Sequence, residues 1–223
     1  MDIGDIKLEF LGHSGFLINS REGERIAIDP YNVSDNIEKV DLILITHNHY
    51  DHCSIKDIAK LVKKETVIVI SPDAQSKIMR IDDVEMQIIE VGDKLEFGDV
   101  KVEALPAYNI DKDFHPKREG WLGYLIKIGD VIIYHAGDTD KIPEMKNLTG
   151  YGKHDNKFVA LLPVSGKYVM TADEAAEVAL LLRPDFVIPM HYGAGVAGTI
   201  EDSMRFVELC RKGGLRAEIL EKI

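Results

Sequence analysis

The chain has 223 residues, is 45% hydrophobic and 29% charged, and carries a formal net charge of −11. These values suit a globular protein large enough to bury a substantial core, and a single domain over 1–223 is expected. The acidic balance disfavours a broad nucleic-acid surface, and no window approaches the roughly 18 apolar residues of a membrane-spanning helix.

Short strand signals fill the first half. The stretch from Ile6 to Leu11 alternates loosely until Gly12-His13-Ser14-Gly15 interrupts it, and Phe16 to Asn19 and Arg25 to Ile28 follow. Asp29-Pro30 marks a turn. Leu42 to Ile45 and Val67 to Ile70 are continuous apolar runs, as expected of strands covered on both faces. Between them, Ser54 to Lys63 has helical spacing, with Ser54 as a candidate N-cap. Pro72 to Arg80 predicts another helix.

Strands are predicted at Met86 to Val91, Leu95 to Phe97 and Val100 to Leu105. Pro106 to Gly120 has no simple period and reads as a long loop, a feature that usually has a functional reason. Leu122 to Ile128, Val131 to Tyr134, Phe158 to Pro163 and Phe186 to Pro189 are further strands. Thr171-Ala172-Asp173-Glu174 is a capping box that opens a helix through Leu182, and Arg183-Pro184 ends it. Ile200 to Lys212 is amphipathic and stops at Gly213-Gly214. Leu215 to Leu220 predicts a closing strand. Strands mixed with helices in both halves suit two packed sheets with helices outside.

The run His47-Asn48-His49-Tyr50-Asp51-His52 places three of the eight histidines and a carboxylate just past a buried strand. Imidazole and carboxylate together suit zinc, and they also admit manganese or iron. One ion could take His47 and His49, and a second Asp51 and His52. Asp138 follows another buried strand and could bridge the two cations. His191 follows a third strand and could complete the second site.

Two cysteines, Cys53 and Cys210, form no CxxC motif, and the N-terminus MDIGDIKLEF has no signal-peptide pattern. A cytoplasmic location is therefore expected. Cys53 beside His52 is either a packing residue or a soft neighbour of the metal. Lys112, Lys117 and Arg118 form a basic patch, either a solvated loop or an attraction for an anionic substrate. His154 lies in a polar connection and is expected to be solvated.

The residues from Thr46 to His52, the pair Gly137-Asp138, and His191 resemble the metallo-beta-lactamase fold superfamily. The likeness spans essentially the whole chain. It implies a four-layer αββα sandwich of two mixed sheets, with a one- or two-metal site at one edge. More narrowly, Leu11 to Phe16 and Tyr134 to Thr139 resemble the branch of Zn-dependent hydrolases that includes ascorbate-phosphate lactonase and N-acylphosphatidylethanolamine phospholipase D.

By this resemblance, His47 and His49 match the first metal's histidines, Asp51 and His52 match ligands of the second, Asp138 matches the bridge and His191 the late histidine. The family supplies one more histidine to the first metal. His115, from the long loop, is one match and Asn109 the competitor, which could instead hold water or contact substrate. The branch also places the motif containing His13 near the pocket, in a catalytic, substrate or outer-shell role. His135 could orient a ligand, and Lys117 could meet substrate.

The implied chemistry is hydrolysis by a metal-bound hydroxide, with Asp51 both holding a metal and orienting the attacking water. Ser14 and Ser54 lack the context of a nucleophile. A small ester, lactone or phosphoester, anionic or neutral, is the expected substrate. The rivals are a phosphodiesterase or nuclease, and a non-catalytic metal- or ligand-binding scaffold. A homo-oligomer is compatible with the sequence.

Overall fold

A computed structural model describes residues 1–152 and 156–223. His154 lies outside the described residues. The first half of the chain forms one seven-stranded sheet in sequence order. Its strands are β1 (Asp2–Ile3), β2 (Ile6–Gly12), β3 (Gly15–Ser20), β4 (Arg25–Ile28), β5 (Leu42–Ile45), β6 (Thr66–Ile70) and β7 (Val84–Ile88). The second half forms a six-stranded sheet in the order β13-β12-β11-β10-β9-β8. Its strands are β8 (Lys94–Phe97), β9 (Val100–Pro106), β10 (Leu122–Ile128), β11 (Val131–His135), β12 (Lys157–Pro163) and β13 (Phe186–Met190).

The layers follow from side-chain alternation. In β5, Leu42 and Leu44 face the core between the sheets, whereas Ile43 and Ile45 face outward. The outward row packs with Ile58 and Leu61 of α1 (Ile55–Leu61) and Ile78 of α2 (Gln75–Ile78). On the far side, α3 (Ala172–Leu182) and α4 (Ile200–Lys212) cover the second sheet through β12 and β13. This is the expected αββα sandwich. Burying each large aliphatic side chain contributes roughly 1.5–3 kcal/mol, so the strand interiors are strongly determined.

The helix signals have clear outcomes. α3 has a complete capping box between Thr171 and Glu174, and Arg183 closes it in the left-handed conformation. The Ser54 side chain does not cap a backbone N–H. It donates to the Asp57 carboxylate at 2.6 Å. The Pro72–Arg80 helix is a single turn over Pro72–Ala74 followed by the four-residue α2.

Two strand expectations need correction. The seventh strand of the first sheet is Val84–Ile88, beginning two residues earlier than the Met86 to Val91 run suggested. Leu215 to Leu220 is not a strand but makes one isolated bridge, Val187 to Ala217. Val187 donates to Arg216 O and accepts from Glu218 N. The next residue facing the same way on β13 is Pro189, which has no N–H, so the ladder cannot extend.

Strand direction positions the site. β2 and β4 run the same way because β3 is antiparallel to both, and β5 is parallel to β4. By the same logic, β9, β11, β12 and β13 share one direction. Most loops carrying polar candidate residues therefore leave the C-terminal ends of co-directed strands, where α/β sheets gather ligands.

Candidate metal centre

Asp138 is the hub. Its turn leaves β11 through Gly137, which has φ +65° and whose missing Cβ leaves room for the Leu122 carbonyl. The buried Asp138 carboxylate lies 3.1 Å from His191 Nε2, 3.2 Å from His115 Nε2 and 3.3 Å from His52 Nε2. His47 Nε2 is 4.0 Å away. His115 Nε2 also faces His49 Nδ1 at 3.3 Å.

These atoms sort into overlapping groups whose ligand atoms lie within 4.8 Å of one another. One group is His47, His49 and His115. A second is His13, Asp51, His52 and His191. A third, His47, His52 and Asp138, joins the first two.

The ring orientations favour metal-facing nitrogens. His52 Nδ1 is tied to Asp29 Oδ2 at 2.7 Å. Thr46 Oγ1 donates to the same oxygen at 2.6 Å, leaving its lone pairs for His47 Nδ1–H at 2.9 Å. His115 Nδ1–H donates to the Tyr168 carbonyl at 3.0 Å. His191 Nδ1 pairs with Ser165 Oγ at 2.9 Å. Four imidazoles are thus anchored through Nδ1 and present Nε2 inward, the pattern of metal-ligating histidines.

The donor set fits divalent ions. His47 Nε2, His52 Nε2 and Asp138 Oδ1 are buried without any hydrogen-bond partner, a costly arrangement unless something binds them. Burial pushes the His47 imidazole well below its ordinary pKa, which keeps it neutral and ready to ligate. Burial would raise the Asp138 carboxyl, but the His191 and His52 imidazoles outweigh it and hold it well below its ordinary value. An anion buried among imidazoles is a place for a cation.

His13 is the fourth member of the second group. Its Nε2 contacts Asp51 Oδ2 at 2.9 Å, and its ring lies 4.3 Å from that of His191. Burial holds the His13 pKa down to about 4 against the pull of Asp51. The neutral ring therefore donates Nε2–H to Asp51, whose carboxyl sits at about 2 because His13 and His52 outweigh burial. The His13 backbone is left-handed (φ 56°), as are Asp29 (42°), His115 (54°) and His191 (60°). Each such non-glycine residue costs roughly 1–3 kcal/mol, and such strain concentrates at functional sites.

Other sequence candidates fall elsewhere. Asn109 donates to the carbonyls of Phe114 (2.8 Å) and Tyr168 (2.6 Å), and its backbone N–H to His115 O (2.7 Å). It braces the His115 loop, and its Oδ1 is buried without a hydrogen-bond partner. His135 bonds Ser14 O through Nε2 at 2.9 Å and accepts the Gly137 N–H through Nδ1 at 3.3 Å. Lys117 does not face the centre; it pairs with Glu144 at 2.8 Å and lies over the Tyr108 ring. Lys112 pairs with Asp140, so two cations of the basic patch are spent internally. Cys53 is buried in the hydrophobic cluster under α1, and burial pushes its thiol up to about 12.

Several site residues escaped the sequence reading. Asp29 looked like a turn residue, yet it orders both Thr46 and His52. Its signal was a carboxylate closing an apolar strand. Trp121, the chain's single tryptophan, lies 4.6–5.2 Å by ring centroids from His49, His47 and His115. Its indole N–H donates to Asp73 at 2.6 Å. Ser165 and Tyr168 gave no local signal.

The fold and this ligand set define an αββα protein with a candidate dinuclear metal centre. The beta-lactamase superfamily domain model matches residues 7–191. A UPF0173 protein of Pyrococcus abyssi is 38% identical over 205 residues, covering 90% of each chain. A UPF0173 metal-dependent hydrolase of Nanoarchaeum equitans is 32% identical over 221 residues, covering 97% of each. A Parabacteroides distasonis protein assigned as a metal-dependent hydrolase superposes with a TM-score of 0.82 at 28% identity, covering 97% of this chain and 94% of its own. The chain belongs to the beta-lactamase superfamily and, within it, to the UPF0173 family.

Proposed function

We propose that this metal-dependent hydrolase holds two divalent ions and cleaves a small ester, lactone or phosphoester. His47, His49 and His115 would hold one ion, Asp51, His52 and His191 the other, and Asp138 would bridge them. Bound ions would supply Lewis acidity and a water activated for attack near neutral pH. The observation that carries this reading is the set of buried, unpartnered His47, His52 and Asp138 atoms turned toward one another.

The chain's own residues have distinct tasks. Asp51 would orient the attacking water, with neutral His13 fixing its carboxylate through the 2.9 Å contact. Asp29 and Thr46 hold the His52 and His47 rings in their inward tautomers. Trp121 walls one side of the first group. Mixed nitrogen and oxygen donors favour zinc and accept manganese or iron.

The motifs around His13 and Asp138 support placement in the branch that includes ascorbate-phosphate lactonase. A single domain over 1–223 and a cytoplasmic location accord with this reading, and no described helix is long and apolar enough to cross a membrane. The net charge of −11 weighs against extended nucleic acid as substrate. The test is turnover of lactone, phosphodiester and phosphomonoester panels by protein loaded with zinc, manganese or iron. Loss of turnover in His49→Ala and Asp138→Ala is expected; turnover persisting in both would overturn the assigned centre.

A further inference from the structure

Of the residues in the three ligand groups, His49 alone is not buried, so the centre opens to solvent at His49. Tyr50, which follows it, is 61% exposed, and Phe114, which precedes His115, is 49% exposed. Among the described residues these are the only exposed large aromatic side chains. His115 Nε2 meets His49 Nδ1 at 3.3 Å, so the loops that carry the two exposed rings come together at this opening. Rings left in water forgo the stabilisation of burial, and exposed apolar surface of this kind marks binding sites.

Each exposed ring is held by a second aromatic. Phe114 packs edge-to-face on Tyr168, with 4.7 Å between centroids and 78° between planes. Tyr50 packs in the same way on Tyr31, at 5.8 Å and 77°. The two supporting tyrosines are themselves tied to the centre. The Tyr168 carbonyl accepts from His115 Nδ1 at 3.0 Å and from Asn109 Nδ2 at 2.6 Å. The Tyr31 ring meets that of His13 edge-on at 5.8 Å. Slight burial, Asp51, Tyr31 and Tyr168 together push the Tyr50 hydroxyl above its ordinary pKa, which sets the three phenols near one another. The four rings thus form one rim, from His13 in the second group to His115 in the first. An edge-to-face pair leaves a ring face free to take a third aromatic in the same geometry.

We propose that this rim is the specificity site of the centre and takes the aromatic ring of an aryl-bearing substrate, packed between Tyr50 and Phe114, with the reacting group at the metal ligands. The proposal rests on the hydrolase reading for the bond that is cleaved; recognition of the ring does not.

The binding test uses two metal chelators that differ in their arm, phenylacetohydroxamate and acetohydroxamate, titrated calorimetrically into zinc-loaded protein. The aryl compound should bind about tenfold or more tighter. Tyr50→Ala and Phe114→Ala should each cut that ratio about three- to tenfold, and Tyr50→Phe and Phe114→Tyr should keep it. Cyclohexylacetohydroxamate, of similar bulk but without a π face, should gain less than the aryl compound; an equal gain would overturn the aromatic assignment. Equal binding of the aryl and acetyl compounds by the unaltered protein, or a ratio that survives both alanine variants, would overturn the proposal. Where Phe114→Ala disturbs zinc loading at the adjacent His115, Tyr50→Ala decides. A dimer in solution that both alanine variants dissociate would assign the rim to a second copy of the chain and overturn the proposal as well.

Turnover then compares phenylacetate and acetate esters of one alcohol. Both alanine variants should raise KM for the phenylacetate ester more than for the acetate. Hydrolysis with the KM ratio unmoved would sink the rim and leave the hydrolase reading intact. Aryl-selective hydroxamate binding without turnover of any ester, lactone or phosphoester would uphold the rim and sink that reading.

Discussion

The two halves of the metal centre are built differently. The first group is all imidazole: His47 and His49 from one loop, His115 from another, backed by the flat face and edge of Trp121. The second group mixes His52 and His191 with the Asp51 carboxylate, and His13 separates it from an open cleft. His49 leaves the first group partly exposed, whereas every member of the second is buried. A carboxylate brings charge and a harder oxygen donor. The contrast is thus one of charge and exposure: the first group has no carboxylate of its own and is the more open, while the second carries Asp51 and is closed.

The largest expected effect comes from removing what the halves share. Asp138→Asn should lower kcat by on the order of 10³-fold or more and release both ions, as read by elemental analysis. An intact metal content would show that the bridge is not shared. His115→Ala should remove one ion and spare the other. If it leaves metal content unchanged, the long loop does not serve the first site.

Asp29→Asn should cost about 10–100-fold in metal affinity, because the amide can offer only one oxygen where the carboxylate serves His52 and Thr46. A metal titration measures this, and an unchanged affinity would remove Asp29 from the account. Asn109→Ala should loosen the His115 loop and reduce first-site affinity by about tenfold or less, without the loss of an ion seen for His115→Ala. The smallest effect belongs to Lys117→Ala. Its pair with Glu144 is solvent-exposed, so activity should change by less than about twofold and stability hardly at all.

What was legible in the sequence follows the same physical division. Strands such as β4, β5 and β10 matched their apolar runs because strands covered on both faces are apolar nearly throughout. The His47 to His52 loop and the residues at Asp138 and His191 were legible because each follows such a run. His115 was ambiguous because its loop is set by long-range contacts: Asn109 to Tyr168 O, and Lys112 to Asp140. No local pattern encodes those contacts. Asp29 and Trp121 were missed for a related reason, since Asp29 acts on Thr46 and His52, 17 and 23 positions away, and Trp121 packs on His49 and His47, 72 and 74 positions away.

The tail from Leu215 to Leu220 shows the opposite failure. Its apolar pattern was real, but Pro189 on the neighbouring strand offers no donor, and a single bridge remains. Lys117 looked available because it sits in a basic run; in three dimensions Glu144 has claimed it.

The central claim is a two-ion centre with His115 in the first site and Asp51 in the second. The most direct measurement is anomalous diffraction at the zinc edge on zinc-loaded crystals. The account predicts two peaks flanking Asp138, one contacted by His47, His49 and His115 and the other by Asp51, His52 and His191. A single peak, or a first-site ion with Asn109 in place of His115, would contradict it.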